Sequence, residues 1–123
     1  MIGVGALDRA DGLAIERWAA HAVKRTLTSA ETLVLQPDPV PNVAMADAAA
    51  RAAFGARMAA YRFDSYRTRL KPDQKPTLKE VRIVTEGAAA ARARAEKEAG
   101  VVDGVFLARD LVSEPPNVLY PQS

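Results

Sequence analysis

The stretch Glu31-Thr32-Leu33-Val34-Leu35-Gln36 (ETLVLQ) decides the fold class, because it stands between two segments with helical spacing. It is short and apolar, and the prolines at 37, 39 and 41 stop it, which predicts a β-strand. Before it, over about 11 to 27, apolar residues recur along one helical stripe: Ile15, Trp18, Ala19, Ala22, Val23, Thr26 and Leu27. After it, Asn42 is predicted to cap a second helix. The stripe of that second helix is Val43, Ala46, Ala50, Phe54, Met58 and Tyr61.

Further strands and a long helix extend this pattern in both directions. Residues 2–7 are short and apolar and predict a strand, and 78–85 alternate in the manner of a half-exposed strand. Residues 86–112 predict a long helix, in which Gly100 and Gly104 indicate either a break or a close packing contact. Pro115 and Pro116 are expected to end it. The order β-α-β-α-β-α predicts an α/β fold with a small, mainly parallel sheet of about three strands.

Three segments are predicted from this order. Residues 1–85 form a partial α/β domain, 86–113 a connecting helix, and 114–123 the proline-rich start of a further domain. A three-stranded parallel sheet would have bare edges and small faces, so the chain is expected to be a piece of a larger protein.

Composition excludes several classes of site. The 123 residues contain no Cys and one His, which excludes disulfides, thiolate metal sites and any site that needs two imidazoles. The net charge of +2 does not by itself indicate a polyanionic partner. There is no apolar run of membrane-spanning length, and the first residues lack the features of a signal peptide. A cytoplasmic protein without a membrane partner is therefore expected.

Two features near the N-terminus suggest sites only weakly. Residues 3–8 (GVGALD) begin like a dinucleotide fingerprint, but Asp8 stands where the third glycine belongs, so tight packing of glycines at a strand end is favoured. His21 has Arg17, Trp18, Lys24 and Arg25 at the neighbouring helical positions and no acid or hydroxyl, so a structural or surface histidine is favoured over a catalytic one.

Asp110 and Glu114 lie four residues apart near the end of the long helix. Two carboxylates on one face can bind a metal ion or exchange protons, but Arg109 is adjacent and the sequence offers no third ligand. A solvated pair is therefore favoured over a metal site.

A basic, aromatic stretch begins at Tyr61. Residues 62–82 hold seven cationic side chains against three acidic ones, interleaved with Phe63 and Tyr66. Such a surface can bind single-stranded nucleic acid by stacking and phosphate contacts. The favoured interpretation is that Tyr61 and Phe63 close the core at a helix end, while the cations complement the helix dipole.

Two segments carry a resemblance to a known family. Residues 61–68 (YRFDSYRT) resemble the YRFDxYKT element of the cytosolic leucyl aminopeptidase family, the di-metal aminopeptidases, and 108–119 (ARDLVSEPPNVL) resemble its ARDLVNxPPNVL element. Arg67, Ser113 and Tyr120 depart from the usual Lys, Asn and Thr. The opening strand and first helix also resemble the family's non-catalytic N-terminal domain.

The resemblance implies a truncated N-terminal segment of a leucyl aminopeptidase. The full-length relative is then expected to be a cytoplasmic, hexameric metalloprotease that removes N-terminal amino acids from peptides with two divalent metals, manganese or zinc. The family's catalytic and metal-binding motifs would lie beyond Ser123. No catalytic, cofactor-binding or metal position is therefore carried onto this chain, and the chain alone is expected to be inactive. The alternative is a free-standing α/β module that binds a protein or nucleic acid through the basic loop 62–82.

Overall fold

The structure is a computed structural model, and it describes Gly3 and residues 5–117. Its main elements are three α-helices and two β-strands: α1 (Gly12–Thr26), β1 (Thr32–Leu35), α2 (Met45–Ala60), β2 (Glu80–Ile83) and α3 (Ala88–Ser113). Short 3-10 turns lie at Leu7–Arg9 and Pro72–Gln74. The predicted α/β class and the long final helix are confirmed.

Helix α1 forms where the apolar stripe predicts it. Asp11 caps its N-terminus, and the Asp11 carboxylate accepts a hydrogen bond of 2.8 Å from the backbone N–H of Ala14. The stripe buries Ile15, Ala19, Ala22 and Val23. These side chains form one side of the core, and α2 and the sheet form the other.

The described part of the chain contains a two-stranded parallel sheet. β1 pairs with β2 from Thr32 opposite Glu80 to Leu35 opposite Ile83. The prediction of about three strands included residues 2–7, of which Ile2 and Val4 lie outside the described residues. Among those described, Gly5 has a φ of 93° and Leu7 begins a 3-10 turn. A positive φ is incompatible with an extended strand, so the predicted strand does not continue to Leu7.

The predicted N-cap at Asn42 is wrong. α2 begins at Met45, and its N-cap, Ala44, makes no side-chain hydrogen bond to the helix. Asn42 has a φ of 63° and lies in a turn that the backbone N–H of Val43 closes on the carbonyl of Val40, at 3.2 Å. Pro41 followed by a residue with positive φ is the arrangement of a type II turn, in which asparagine is tolerated.

Helices α1 and α2 cross very closely at Gly55. A Cβ atom built on Gly55 would lie 2.2 Å from the carbonyl oxygen of Glu16 and 2.8 Å from its Cα. The neighbouring contacts are made by small buried residues, including Ala19 of α1 and Ala52 and Ala56 of α2. The crossing therefore requires glycine at position 55.

Helix α3 runs unbroken from Ala88 to Ser113, and Glu114 caps its end just before Pro115. Of the two alternatives predicted for Gly100 and Gly104, the break is wrong, and no close packing contact forms at either glycine within the described part of the chain. The helix continues through them, and a Cβ atom on either would meet nothing within 4 Å. The side of α3 that faces α2 buries Ala91 and Val102. The predicted domain boundaries at 85 and 113 remain predictions, and residues 118–123 lie outside the described part.

Candidate functional site

The basic, aromatic stretch lies against the C-terminal half of α3. α2 ends at Ala60, and Tyr61 follows as its C-cap with a φ of −60° and a ψ of 130°. The Tyr61 ring lies 5.1 Å from the ring of Phe106, and the guanidinium of Arg109 lies 5.2 Å from the Tyr61 ring centre. The Tyr61 hydroxyl donates a hydrogen bond of 2.8 Å to Asp110 Oδ1. Tyr61 thus joins the end of α2 to α3.

A second tyrosine makes a parallel contact one turn further along. The Tyr66 hydroxyl donates a hydrogen bond to Glu114 Oε2, and its ring lies 5.8 Å from that of Phe63. We call the four residues Tyr61, Tyr66, Asp110 and Glu114 the tyrosine clamp. Its two contacts are alike, a phenol that donates to a carboxylate of the α3 terminus.

The clamp favours the neutral form of both phenols. Burial, together with the hydrogen bond to Asp110, raises the pKa of Tyr61 above its ordinary value of 10.0. The hydrogen bond to Glu114, together with burial, raises the pKa of Tyr66 in the same direction. Burial disfavours the charged phenolate, and an ionised phenol could no longer donate to the carboxylate and would repel it.

The clamp includes the two carboxylates, Asp110 and Glu114, that the sequence suggested as a solvated pair or a metal site. Asp110 and Glu114 lie at the same end of α3, but each carboxylate accepts a hydrogen bond from a different tyrosine. Within Gly3 and residues 5–117, no group of three or more His, Cys, Asp or Glu side chains is arranged to hold a metal ion. The described residues therefore do not fit the two metals that the resemblance implies for the full-length relative.

The clamp is the end of a longer series of polar contacts between α2 and α3. Arg57 Nη2 lies 3.0 Å from Asp103 Oδ1, and Asp47 forms an ion pair with Arg94. All four contacts join residues 46 to 49 positions apart in the chain. The two helices are therefore parallel and in one register along most of α2.

Within the basic stretch, the Asp64 carboxylate pairs with two of the arginines. Arg62 Nε donates to Asp64 Oδ2 at 2.6 Å, and Arg62 Nη1 donates to the carbonyl of Gln74 at 3.0 Å. Arg67 Nη1 lies 3.8 Å from the other oxygen of Asp64. Further along, Lys79 pairs with Glu31 and Arg82 with Glu80. Four of the seven cations of 62–82 thus already contact a carboxylate of this chain.

His21 and the glycine stretch at residues 3–8, the two weaker sites suggested by the sequence, make no contact with the tyrosine clamp in the described structure. His21 is exposed on α1. Gly3 and Gly5 have open space where a Cβ would lie, so tight packing does not explain them; Gly5 instead adopts a positive φ. Val4 lies outside the described residues.

The sequence offered no local signal for the clamp partners. Tyr61 and Asp110 are 49 residues apart, and Tyr66 and Glu114 are 48 apart, so no periodicity within one element relates them. The signal that could have found them is the repeated offset of opposite charges between α2 and α3, at Asp47 with Arg94 and Arg57 with Asp103.

A groove of about 370 Å³ lies beside α1 and β1. Its lining includes Ile15, Leu33, Leu35 and Val40, with Gln36 and Asp38 among the few polar members. The lining is therefore mostly apolar, and Asp38 supplies its one carboxylate. In the part of the chain that the structure describes, no helix combines the length and the apolar character needed to cross a membrane.

The chain is similar in sequence to the N-terminal part of known aminopeptidases. The sequence model described as "Cytosol aminopeptidase family, N-terminal domain" matches residues 1–70. A probable cytosol aminopeptidase of Caulobacter vibrioides is 41% identical over 123 residues, which is 99% of this chain and 24% of the relative. A probable cytosol aminopeptidase of Gluconobacter oxydans is 44% identical over 113 residues, which is 92% of this chain and 22% of the relative.

A solved structure agrees with these sequence matches. The bottromycin maturation enzyme BotP, in complex with Mn, superposes with a TM-score of 0.77 and 30% identity, over 98% of this chain and 24% of BotP. The chain thus spans about a quarter of the length of the relatives that it matches. It belongs to the cytosol aminopeptidase family, of which it contains the N-terminal domain.

Proposed function

We propose that this chain is the non-catalytic N-terminal segment of a leucyl aminopeptidase. The complete protein removes N-terminal amino acids from peptides with two divalent metals, manganese or zinc. The observation that carries the proposal is the alignment of 99% of this chain with only 24% of a probable cytosol aminopeptidase. The complex of BotP with Mn supports the use of a divalent metal in related proteins.

The role of the segment in that protein is architectural. Metal-assisted hydrolysis needs several ligands that converge on one or two ions, with room for a water molecule. The carboxylates at the end of α3 are instead engaged by Tyr61 and Tyr66. These two hydrogen bonds hold the last turn of α3 against the segment that follows α2. Helix α3 then acts as a rigid connection to the catalytic domain.

The complete protein is further proposed to be a cytoplasmic hexamer. The relatives' names, which describe cytosol aminopeptidases, support the compartment. The hexamer rests on the family resemblance of the 61–68 and 108–119 segments. Sedimentation of the complete protein measures its assembly directly.

Two proteins test the proposal. The first is this 123-residue chain, purified and supplied with manganese or zinc, and the second is a chimera in which the chain replaces the matched N-terminal part of the Caulobacter vibrioides relative. Release from a leucyl chromogenic amide is expected from the chimera and not from the chain alone. Chelator should abolish the turnover.

Two results would contradict the proposal. One is turnover by the purified chain alone that scales with its concentration, disappears with chelator and persists after removal of host aminopeptidases. The other is a folded, metal-loaded chimera without aminopeptidase activity.

A further inference from the structure

The side of α3 that points away from α2 is unusual for a surface. By the 3.6-residue repeat, six residues lie opposite the side that buries Ala91 and Val102. We call them the outer face of α3: Ala89, Ala93, Gly100, Gly104, Leu107 and Leu111. All six are exposed, and the large side chains Leu107 and Leu111 are 60% and 46% exposed.

A helix that faces water normally carries its charged residues on the side opposite the core. In α3 the charges avoid the middle of this side: Arg94 and Asp103 form ion pairs with α2, while Glu96 and Lys97 flank the outer face at its two edges. Asp110 is likewise bonded to Tyr61 at the end of α2. α3 is therefore apolar on two opposite sides, which is the pattern of a helix packed between two layers.

The shape of the outer face is suited to close approach by another element. Gly100 and Gly104 form a shallow notch, since a Cβ atom on either would meet nothing within 4 Å. Leu107 and Leu111 project one turn further on as large exposed apolar side chains. Glycines permit a helix or strand to come near the α3 backbone, and the leucines add buried apolar area once it is there.

We propose that the outer face of α3 is the docking surface for the catalytic part of the longer polypeptide. This inference rests on the proposed function. The matched family model is that of an N-terminal domain, and the relatives are about four times as long as this chain, so most of their polypeptide lies outside the matched part. The exposed apolar residues gather in the C-terminal half of α3, which is the half nearest to any domain that follows. A covalent connection at that end raises the effective concentration of such a partner.

The test compares one pair of substitutions in two settings. Leu107→Gln with Leu111→Gln is introduced into this chain and into the chimera with the Caulobacter vibrioides relative. In the isolated chain the side chains already face water, so the hydrogen exchange of the α3 amides should change by about twofold or less. In the chimera the same pair should speed hydrogen exchange of the α3 amides by about tenfold or more, because it breaks an apolar contact.

Leu13→Gln is the matched control, since Leu13 is also an exposed leucine on a helix, at 49% exposure, but lies on α1. It should have the same small effect in both settings. Aminopeptidase activity of the unsubstituted chimera is measured separately, so that failure of the proposed function is recognised independently of the exchange result.

Three outcomes overturn the inference. One is an equal effect of the double substitution on the chain and on the chimera, which would leave the outer face exposed in the longer protein. Another is a dimer of the isolated chain that the double substitution dissociates while the chimera is insensitive, which would assign the face to a second copy. The third is a chimera that folds only when the outer face carries the glutamines.

Discussion

Replacing Gly55 by alanine tests the closest contact in the fold. The added Cβ would lie 2.2 Å from the Glu16 carbonyl oxygen and 2.7 Å from its carbon, and both are backbone atoms that cannot rotate away. An ordinary contact is about 3.4 Å or more, so α1 must move by about 1 Å relative to α2. That movement disturbs the small buried residues of the crossing and the ion pair of 2.6 Å between Glu16 and Arg51.

The expected magnitude follows from two opposing effects. Overpacking of this kind costs about 3 kcal/mol, at the upper end of the usual range because backbone must shift. Alanine in place of glycine inside a helix returns about 1 kcal/mol. The net loss in the free energy of unfolding should be about 2 kcal/mol, or roughly 8 °C in melting temperature for a domain of this size.

Gly100→Ala and Gly104→Ala are the matched controls, because they make the same chemical change in a helix with open space around the new Cβ. Each should stabilise the isolated chain by about 0.5–1 kcal/mol. Circular dichroism during thermal and urea unfolding measures all three variants. The reasoning would be refuted by a Gly55→Ala chain as stable as the wild type while the two controls gain stability.

Three further predictions concern the helix cap, the clamp and the basic stretch. Asp11→Ala removes the acceptor for the Ala14 N–H and should lower the free energy of unfolding by about 1 kcal/mol in urea titrations, whereas Asp11→Asn should lose little; equal losses would contradict the cap. The folded-state pKa values of Tyr61 and Tyr66 are raised above 10.0, so the stability that the clamp contributes is fully present below pH 10 and is lost as the pH rises beyond it. The unfolding free energy of the wild type should therefore fall more steeply above pH 10 than that of Tyr61→Phe/Tyr66→Phe, and parallel curves would disprove the link. Binding of single-stranded nucleic acid should be weak and lost in moderate salt, because only phosphate neutralisation is available; sub-micromolar binding at physiological salt that Tyr66→Ala abolishes would instead support a nucleic-acid module.

The sequence was sufficient for features that depend on short-range periodicity. The apolar stripe of α1, the proline-bounded β1 and the long α3 each appear in the structure near their predicted positions. These elements repeat one physical pattern over many residues, so a displaced boundary does not hide them.

Features that depend on a choice between two local roles were not predictable in the same way. Asparagine is favoured both at helix N-caps and at turn positions with positive φ, and at Asn42 the preceding proline decided for the turn. Glycine is similarly ambiguous. Gly55 enables a close crossing and Gly100 does not, and the difference lies in α1, which is distant in sequence. The tyrosine clamp required knowledge of how α2 and α3 align, which no single element contains.

The contacts between the α2 segment and α3 join residues 46 to 49 positions apart, so all of them depend on how α3 is rotated about its own axis. One inserted residue between Arg94 and Asp103 would turn the rest of the helix by about 100°. Asp110 and Glu114 would rotate away from their tyrosines, and Leu107 and Leu111 would swing from the outer side toward one edge. Many substitutions along α3 should thus be tolerated, while single insertions or deletions should uncouple both of its sides at once. The number of residues in α3 therefore sets the rotation of its C-terminal end relative to α2. For this helix, length constrains the structure as strongly as composition does.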